Sequence, residues 1–241
     1  MRQIKIISKR EFHIFFNSLV AYILLSLFLG LSGFFTWLYG SDVFFTGQAT
    51  MQPFFSIAYW TLFFFIPAIT MKMFAEEKKT GTIELILTKP VSDWQFILGK
   101  FFACLLLIAV ALALTLPYYI SISLLGNVDH GAVISGYLGS LLMSMALIGI
   151  GLFASSVTNN QIVSFLISLF IGIFFLIIFQ LLSENSLGII GYYLSRFSIG
   201  THYESISRGV IDSRDVIYFL LIAFAGLYLS YINLSKRNRV Y

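Results

Sequence analysis

Residues 72–100 read KMFAEEKKTGTIELILTKPVSDWQFILGK. This is the one long polar interruption between two apolar spans, and it holds five of the fifteen basic residues: Lys72, Lys78, Lys79, Lys89 and Lys100. Hydrophobicity falls over Glu76–Lys79, returns at Ile83–Leu87, breaks at Pro90 and restarts at Trp94. That pattern predicts a helix end, a short helix, a turn and a new helix start. Gly81 suits the position just past a helix C-terminus, where a left-handed backbone carries no side-chain penalty. Thr82 can cap the short helix, and Glu84 in its first turn faces the positive end of the helix dipole. Pro90 cannot continue that helix, and Ser92 with Gln95 forms a capping box that opens the next. The stretch therefore reads as a rigid, mostly apolar peg on the water side of a membrane protein. An exposed apolar surface of this kind needs a partner to cover it. Lipid contact alone is the bland alternative. The absence of basic residues among Ile83, Leu85, Ile86 and Leu87 favours a protein groove. Glu76, Glu77, Lys78 and Lys79 read either as a solvated helix end or as groups that pair with the partner.

The rest of the chain fits a polytopic membrane protein. It is 59% hydrophobic and 11% charged, with a mean hydropathy of +0.90, whereas soluble domains average about 25% charged. Six apolar segments, about 18–39, 54–75, 94–125, 132–154, 162–182 and 216–234, reach the roughly 20 residues a spanning helix needs. The expected fold is one all-α transmembrane domain over residues 1–241. The first apolar run is too long for a signal-peptide core and is expected to be a retained anchor. Pro67 should kink the second span and Pro117 interrupts the third. Ser26 with Gly30, and Gly136 with Ser140 and Ser144, place small residues for close helix contact. The Phe-rich fifth span reads as packing or lipid contact, with a substrate path as the alternative. Residues 1–17 space Ile4, Ile7, Phe12 and Phe15 as one face of an interfacial amphipathic helix; a frayed basic flank is the alternative. Residues 155–161 read as a short loop. Residues 183–215 read as a short helix pair dipping into the outer leaflet before the sixth span.

Charge sets the expected orientation. The N-terminal segment, the polar stretch and the C-terminal tail carry twelve Lys and Arg residues, against Arg196, Arg208 and Arg214 on the other side. The positive-inside rule then puts both ends of the chain and the peg in the cytoplasm. A basic balance could also point to nucleic acid, but here the charges sit beside apolar spans, so no nucleic-acid partner is expected. The single cysteine, Cys104, excludes an internal disulfide framework. There is no G-x-x-x-x-G-K-[ST], H-E-x-x-H or G-x-S-x-G, so no nucleotide loop, metal site, cofactor or catalytic residue is expected. His13, His130 and His202 read as scattered interfacial or surface residues. No charge lies mid-span, where it would cost at least about 2.5–3.5 kcal/mol. Ion-coupled carriers need such groups, so an engine outside the membrane fits better.

The run from Phe74 to Phe101 resembles the signature of ABC-2 type permeases, the membrane subunits of one class of ATP-driven exporter. The acidic-basic cluster is Glu76, Glu77, Lys78 and Lys79. Gly81, Thr82, Glu84 and Pro90 follow at the family spacing, and Gly99 and Lys100 supply its G-K pair. Ile86 stands where the pattern has Leu. Lys72 stands where many relatives have Arg, and Lys does not make Arg's bidentate carboxylate contact. Thr88, Lys89, Pro90 and Trp94, with Pro53, Phe54 and Phe55 before the second span and Ser156, Asn160 and Gln161 before the fifth, are similar to the gliding-motility-associated (GldF-like) branch.

The resemblance implies an ABC-2 exporter fold: an interfacial N-terminal helix, six spans, a cytoplasmic coupling helix at about 82–88 and re-entrant helices before the sixth span. It implies a non-enzymatic permease subunit in a bacterial inner membrane, working with two copies of a cytoplasmic ABC ATPase and a second permease or homologous membrane subunit. An extracytoplasmic accessory subunit is a further candidate partner. The implied ATPase-contacting residues are Glu76, Glu77, Lys78, Lys79, Gly81, Thr82, Ile83, Glu84, Leu85, Ile86, Leu87 and Pro90. The alternative is a mechanotransmission or scaffold subunit that relays ATPase motion without moving a substrate. An intramembrane enzyme is disfavoured by the lack of a polar catalytic set.

Overall fold

The computed structural model describes residues 2–38, 47–82, 91–186 and 188–237. Helix α1 is Arg2–Asn17, and α2, the first span, is Leu19–Trp37. The second span joins α3 (Gln52–Thr70) to α4 (Lys72–Lys79), and the third joins α5 (Asp93–Ala113) to α6 (Leu116–Leu125). The fourth is α7 (His130–Val157). The fifth runs from α8 (Gln161–Ile173) through a π-helical turn, Phe174–Ile178, into α9 (Phe179–Asn185). Two short helices, α10 (Ile189–Ser195) and α11 (Ile199–Ser207), precede the sixth span, α12 (Ser213–Arg237). Among the described residues there is no strand, and six helical stretches are long and apolar enough to cross a membrane.

Local chemistry sets the interruptions. Pro67 lacks an N–H, and the second span breaks at Met71, one turn later. The break lies next to the N–H groups of Phe74 and Ala75, in the first turn of α4. Both donate to Ser155 Oγ of α7, at 2.9 and 3.1 Å, and Ser155 in turn donates to the Met71 carbonyl at 3.0 Å. The third span breaks at Leu114–Thr115, just ahead of Pro117. There Thr115 Oγ1 donates back to the Leu112 carbonyl at 2.7 Å. The Ser92–Gln95 capping box forms in both directions. Asp129 caps α7 and Asn160 caps α8. One expected boundary moves: α7 runs to Val157, so Ser155 and Ser156 are buried helical residues rather than part of a loop. Their hydroxyls are occupied by neighbouring helices, which holds that last turn in place.

The fourth span is the centre of the bundle. Its apolar window is 78% buried, against 22% for the first and fifth spans, which form the flanks. Helix α7 packs on α12, α3, α8, α11 and α5. Gly136, Ser140 and Ser144 are buried, and Gly136 takes the Phe55 ring against its backbone. The closest crossing joins Gly149 of α7 to Gly226 of α12: a Cβ on Gly149 would lie 2.7 Å from the Ala223 carbonyl oxygen. In α2, by contrast, Ser26 and Gly30 are exposed, with nothing within 4 Å of a Cβ on Gly30. The buried face of α2 carries Ala21, Phe28, Ser32 and Thr36 instead.

One end of the bundle gathers α1, α4, the start of α5 and the last turns of α7 and α12. The opposite end gathers α11 over the starts of α3, α7 and α12, with α10 packed on α9. His202, read from sequence as a surface group, is buried there. Its Nδ1 lies 2.6 Å from Asp215 Oδ1, its Nε2 lies 2.9 Å from the Arg196 carbonyl, and its ring stacks on Tyr218 at 4.0 Å. Helix α11 turns this face into the seam with α12, which the loop composition did not signal. His13 and His130 are exposed.

We expect Gly226→Val to force α12 off α7. A loss at the upper end of the ~1–3 kcal/mol typical of overpacked sites, read as a lower melting temperature of the purified protein, would follow. Gly30→Ala, which meets open space, should be neutral or stabilising by up to about 1 kcal/mol through its lower backbone entropy.

Candidate functional site

The polar segment begins on α4, and the structure shows what anchors it. Helix α1 buries Ile7, Ser8, Glu11 and Phe15, a stripe at helical spacing, and packs along α5. Gly99 permits the approach, since a Cβ there would meet Ile7 Cβ at 2.7 Å. Ser8 Oγ donates to the Gly99 carbonyl at 2.9 Å. One residue on, Lys100 is only 1% exposed.

A buried ammonium persists only where carboxylates and carbonyls replace its water. Lys100 Nζ lies 2.9 Å from Glu77 Oε1 of α4 and 3.5 Å from Glu11 Oε1 of α1. It donates to the Met73 carbonyl at 2.7 Å. The rings of Phe96 and Phe74 flank it at 4.9 and 5.4 Å, adding cation–π attraction. Arg10 bonds Glu11 and lies 3.6 Å from Glu77. Two cations and two anions thus balance, and three helices meet on one ammonium. Glu77 Oε2 is buried without a hydrogen-bond partner.

The acidic-basic cluster divides between this junction and solvent. Glu77 turns inward to Lys100, and Lys78 Nζ donates to the Ser156 carbonyl, which Asn233 of α12 also reaches. Glu76 and Lys79 are exposed. Lys72 sits with its Nζ 5.2 Å from the centre of the Phe15 ring. Thr80 ends α4, and Gly81 follows with φ of 72°, the left-handed exit its residue type predicts. Thr82 is exposed, its hydroxyl 2.9 Å from that of Thr80. Ile83, Glu84, Leu85, Ile86, Leu87 and Pro90, with the expected cap at Thr82, bear on a segment outside the described residues. Beyond that segment Trp94 stacks on Tyr231 at 5.1 Å, so the return into the third span rests on the sixth. A cavity of about 280 Å3 lies between α1, α4 and α5, lined by Glu11, Lys72, Glu76, Glu77 and Thr82 among others.

The arrangement is a junction at which α1, the second span and the third span meet on one buried side chain. Sequence reasoning singled out Glu77 and the G-K pair, but not their joining to Glu11. The available signal was a lysine set between Ile97 and Phe101, two turns inside an apolar helix.

Replacing Lys100 with Met should strand Glu11 and Glu77 in a buried site. The expected cost is about 3–5 kcal/mol, visible as a large fall in melting temperature. Adding Glu11→Gln and Glu77→Gln to that variant should recover most of the loss, because the one charge then left without its partners, Arg10, is 44% exposed and stays hydrated.

Residues 39–232 match the family model of ABC-2 family transporter proteins. Among curated proteins no match is found. The matched stretch begins just past α2 and takes in the polar segment, the second to sixth spans and both short helices. With its six apolar spans, the chain belongs to the ABC-2 transporter family as a multi-pass membrane subunit.

Proposed function

We propose that this subunit is the permease of an ATP-driven exporter, and that residues 82–88 are the segment on which a separate cytoplasmic ABC ATPase seats. The observation that carries this reading is the way the polar segment is mounted. Its base is fixed to three helices through Lys100, while Glu76, Lys79, Gly81 and Thr82 face outward. An apolar segment carried on a rigid base would transmit motion in both directions. ATP binding in the partner would move the peg, and the Lys100 junction would pass that movement to α1 and the second and third spans.

The α1 end faces the cytoplasm in this reading, supported by the twelve-to-three distribution of basic residues. The membrane is then a bacterial inner membrane. Two permeases and two ATPases form the working assembly, with the open faces of the first and fifth spans available to a second membrane subunit. An extracytoplasmic accessory subunit would meet the α10–α11 end. The gliding-motility and secretion branch is the proposed affiliation, on Thr88, Lys89, Pro90 and Trp94. A cavity of about 420 Å3 between α3, α9 and α11 supports transport over a subunit that only relays force.

Leu85→Asp and Ile86→Asp place a charge on the peg. Each should abolish co-purification of the ATPase while leaving membrane insertion and melting temperature unchanged. Undiminished ATPase recovery with both variants would defeat this assignment.

A further inference from the structure

Helix α1 shows two faces of opposite chemistry. The stripe that reads from sequence as the lipid-facing one is spent on protein. Ile7, Ser8, Glu11 and Phe15 are buried, and Glu11, the only acidic residue of α1, turns inward to Lys100 and Arg10. The opposite face carries Arg2, Lys5 and Lys9, all exposed. Spacings of three and four residues put them in one row, about 10 Å long at the rise of an α-helix. Among the described residues, the ion pairs at this end of the bundle are made by Arg10 and Lys100, not by the row.

The row adjoins the start of the first span. Ser18 alone separates α1 from α2. Its backbone is extended (φ −106°, ψ 153°), and its hydroxyl donates to the Phe15 carbonyl at 2.9 Å. Just past it Leu19, Ile23 and Leu27 recur every four residues, and all three are exposed. An exposed apolar stripe that opens a spanning helix faces hydrocarbon, so α1 stands at headgroup depth. Aromatic rings mark the same level. Phe12 packs on Phe16 at 5.0 Å, and Phe16 meets the exposed Tyr22 edge-on at 5.8 Å.

Three cations in a row at headgroup depth call for an anionic headgroup. Phosphate oxygens accept strong hydrogen bonds from ammonium and guanidinium groups. Each Lys or Arg near an anionic leaflet is worth roughly a fivefold gain in affinity. We infer that the outward face of α1 binds anionic phospholipid, with the headgroup on Arg2, Lys5 and Lys9 and the acyl chains along Leu19, Ile23 and Leu27. A soluble acidic protein would meet the same charges but leave the apolar stripe uncovered, so lipid is the occupant that satisfies both surfaces. The inference does not rest on the exporter reading, because this binding needs neither nucleotide nor a partner subunit.

The test uses the purified full chain in phosphatidylcholine nanodiscs doped equally with phosphatidylglycerol and phosphatidylethanolamine, with no ATPase or ATP present. Native mass spectrometry after gentle release counts the lipid retained. Phosphatidylglycerol should be held at least about tenfold over phosphatidylethanolamine. Arg2→Gln, Lys5→Gln and Lys9→Gln together should erase that preference at an unchanged melting temperature, since all three side chains are exposed. Lys5→Arg with Lys9→Arg should keep it. So should Lys236→Gln, Arg237→Gln and Arg239→Gln together, which remove equal charge from the C-terminal tail. Equal retention of the two lipids, a preference that survives the triple α1 variant, or one lost equally in the tail variant would overturn the proposal. A fluorescent oligoglutamate that displaces phosphatidylglycerol from the native chain would give the face to an acidic protein and overturn it as well. Should the triple variant fail to fold, Lys9→Glu alone decides, with a ratio lowered at least about fivefold. A failed ATPase capture leaves this result standing, and a failed lipid preference leaves the peg standing.

Discussion

An ammonium without water is tolerable only if other groups stand where the water stood, and this one demand organises the business end of the molecule. Lys100 is closed in by Glu77, Glu11, the Met73 carbonyl and two phenylalanine rings. Because those groups come from three helices, none of them can shift alone without exposing a buried charge. The amphipathic α1 is thereby converted from a helix lying on lipid into a strut bolted to the third span. Ser155 and Ser156 extend the same logic into the fourth and sixth spans: Ser155 Oγ takes the N–H groups of Phe74 and Ala75, and the Ser156 carbonyl takes Lys78 and Asn233. The polar segment is mounted on this assembly.

Rigidity at that end contrasts with the composition of the flanks. The fourth span is packed through glycine and serine against its neighbours, to the point of backbone contact with α12 at Gly149. The first and fifth spans keep most of their surface apolar and open. The bundle thus has a densely packed centre and two apolar flanks open to the surroundings. The π-helical turn at Phe174–Ile178 interrupts one of those flanks.

Much of this was legible in the sequence because it depends on neighbours along the chain. The Ser92–Gln95 box, the left-handed Gly81, the breaks near Pro67 and Pro117, the two short helices after the fifth span and the spans themselves all follow from rules that act within one or two turns. What was not legible depends on partners far apart. Glu11 and Lys100 are 89 positions apart in the sequence, and nothing in either local pattern names the other. His202 read as a scattered interfacial or surface residue, and nothing near it in the chain named Asp215, which α11 and α12 bring against it. Ser155 resembled a loop serine because its role is to cap a helix in another part of the chain. Small residues misled in the other direction: Ser26 and Gly30 have the right spacing for contact, yet the stripe that α2 buries lies elsewhere.

The central claim is that the peg carried by this junction meets a nucleotide-hydrolysing subunit. The most direct measurement places a photo-crosslinking amino acid at position 87 in the native membrane and identifies what it captures. The account predicts a single dominant adduct with an ABC-type ATPase, formed on the cytoplasmic face and altered by ATP. Adducts with lipid alone, or labelling from the outer face of intact cells, would contradict it.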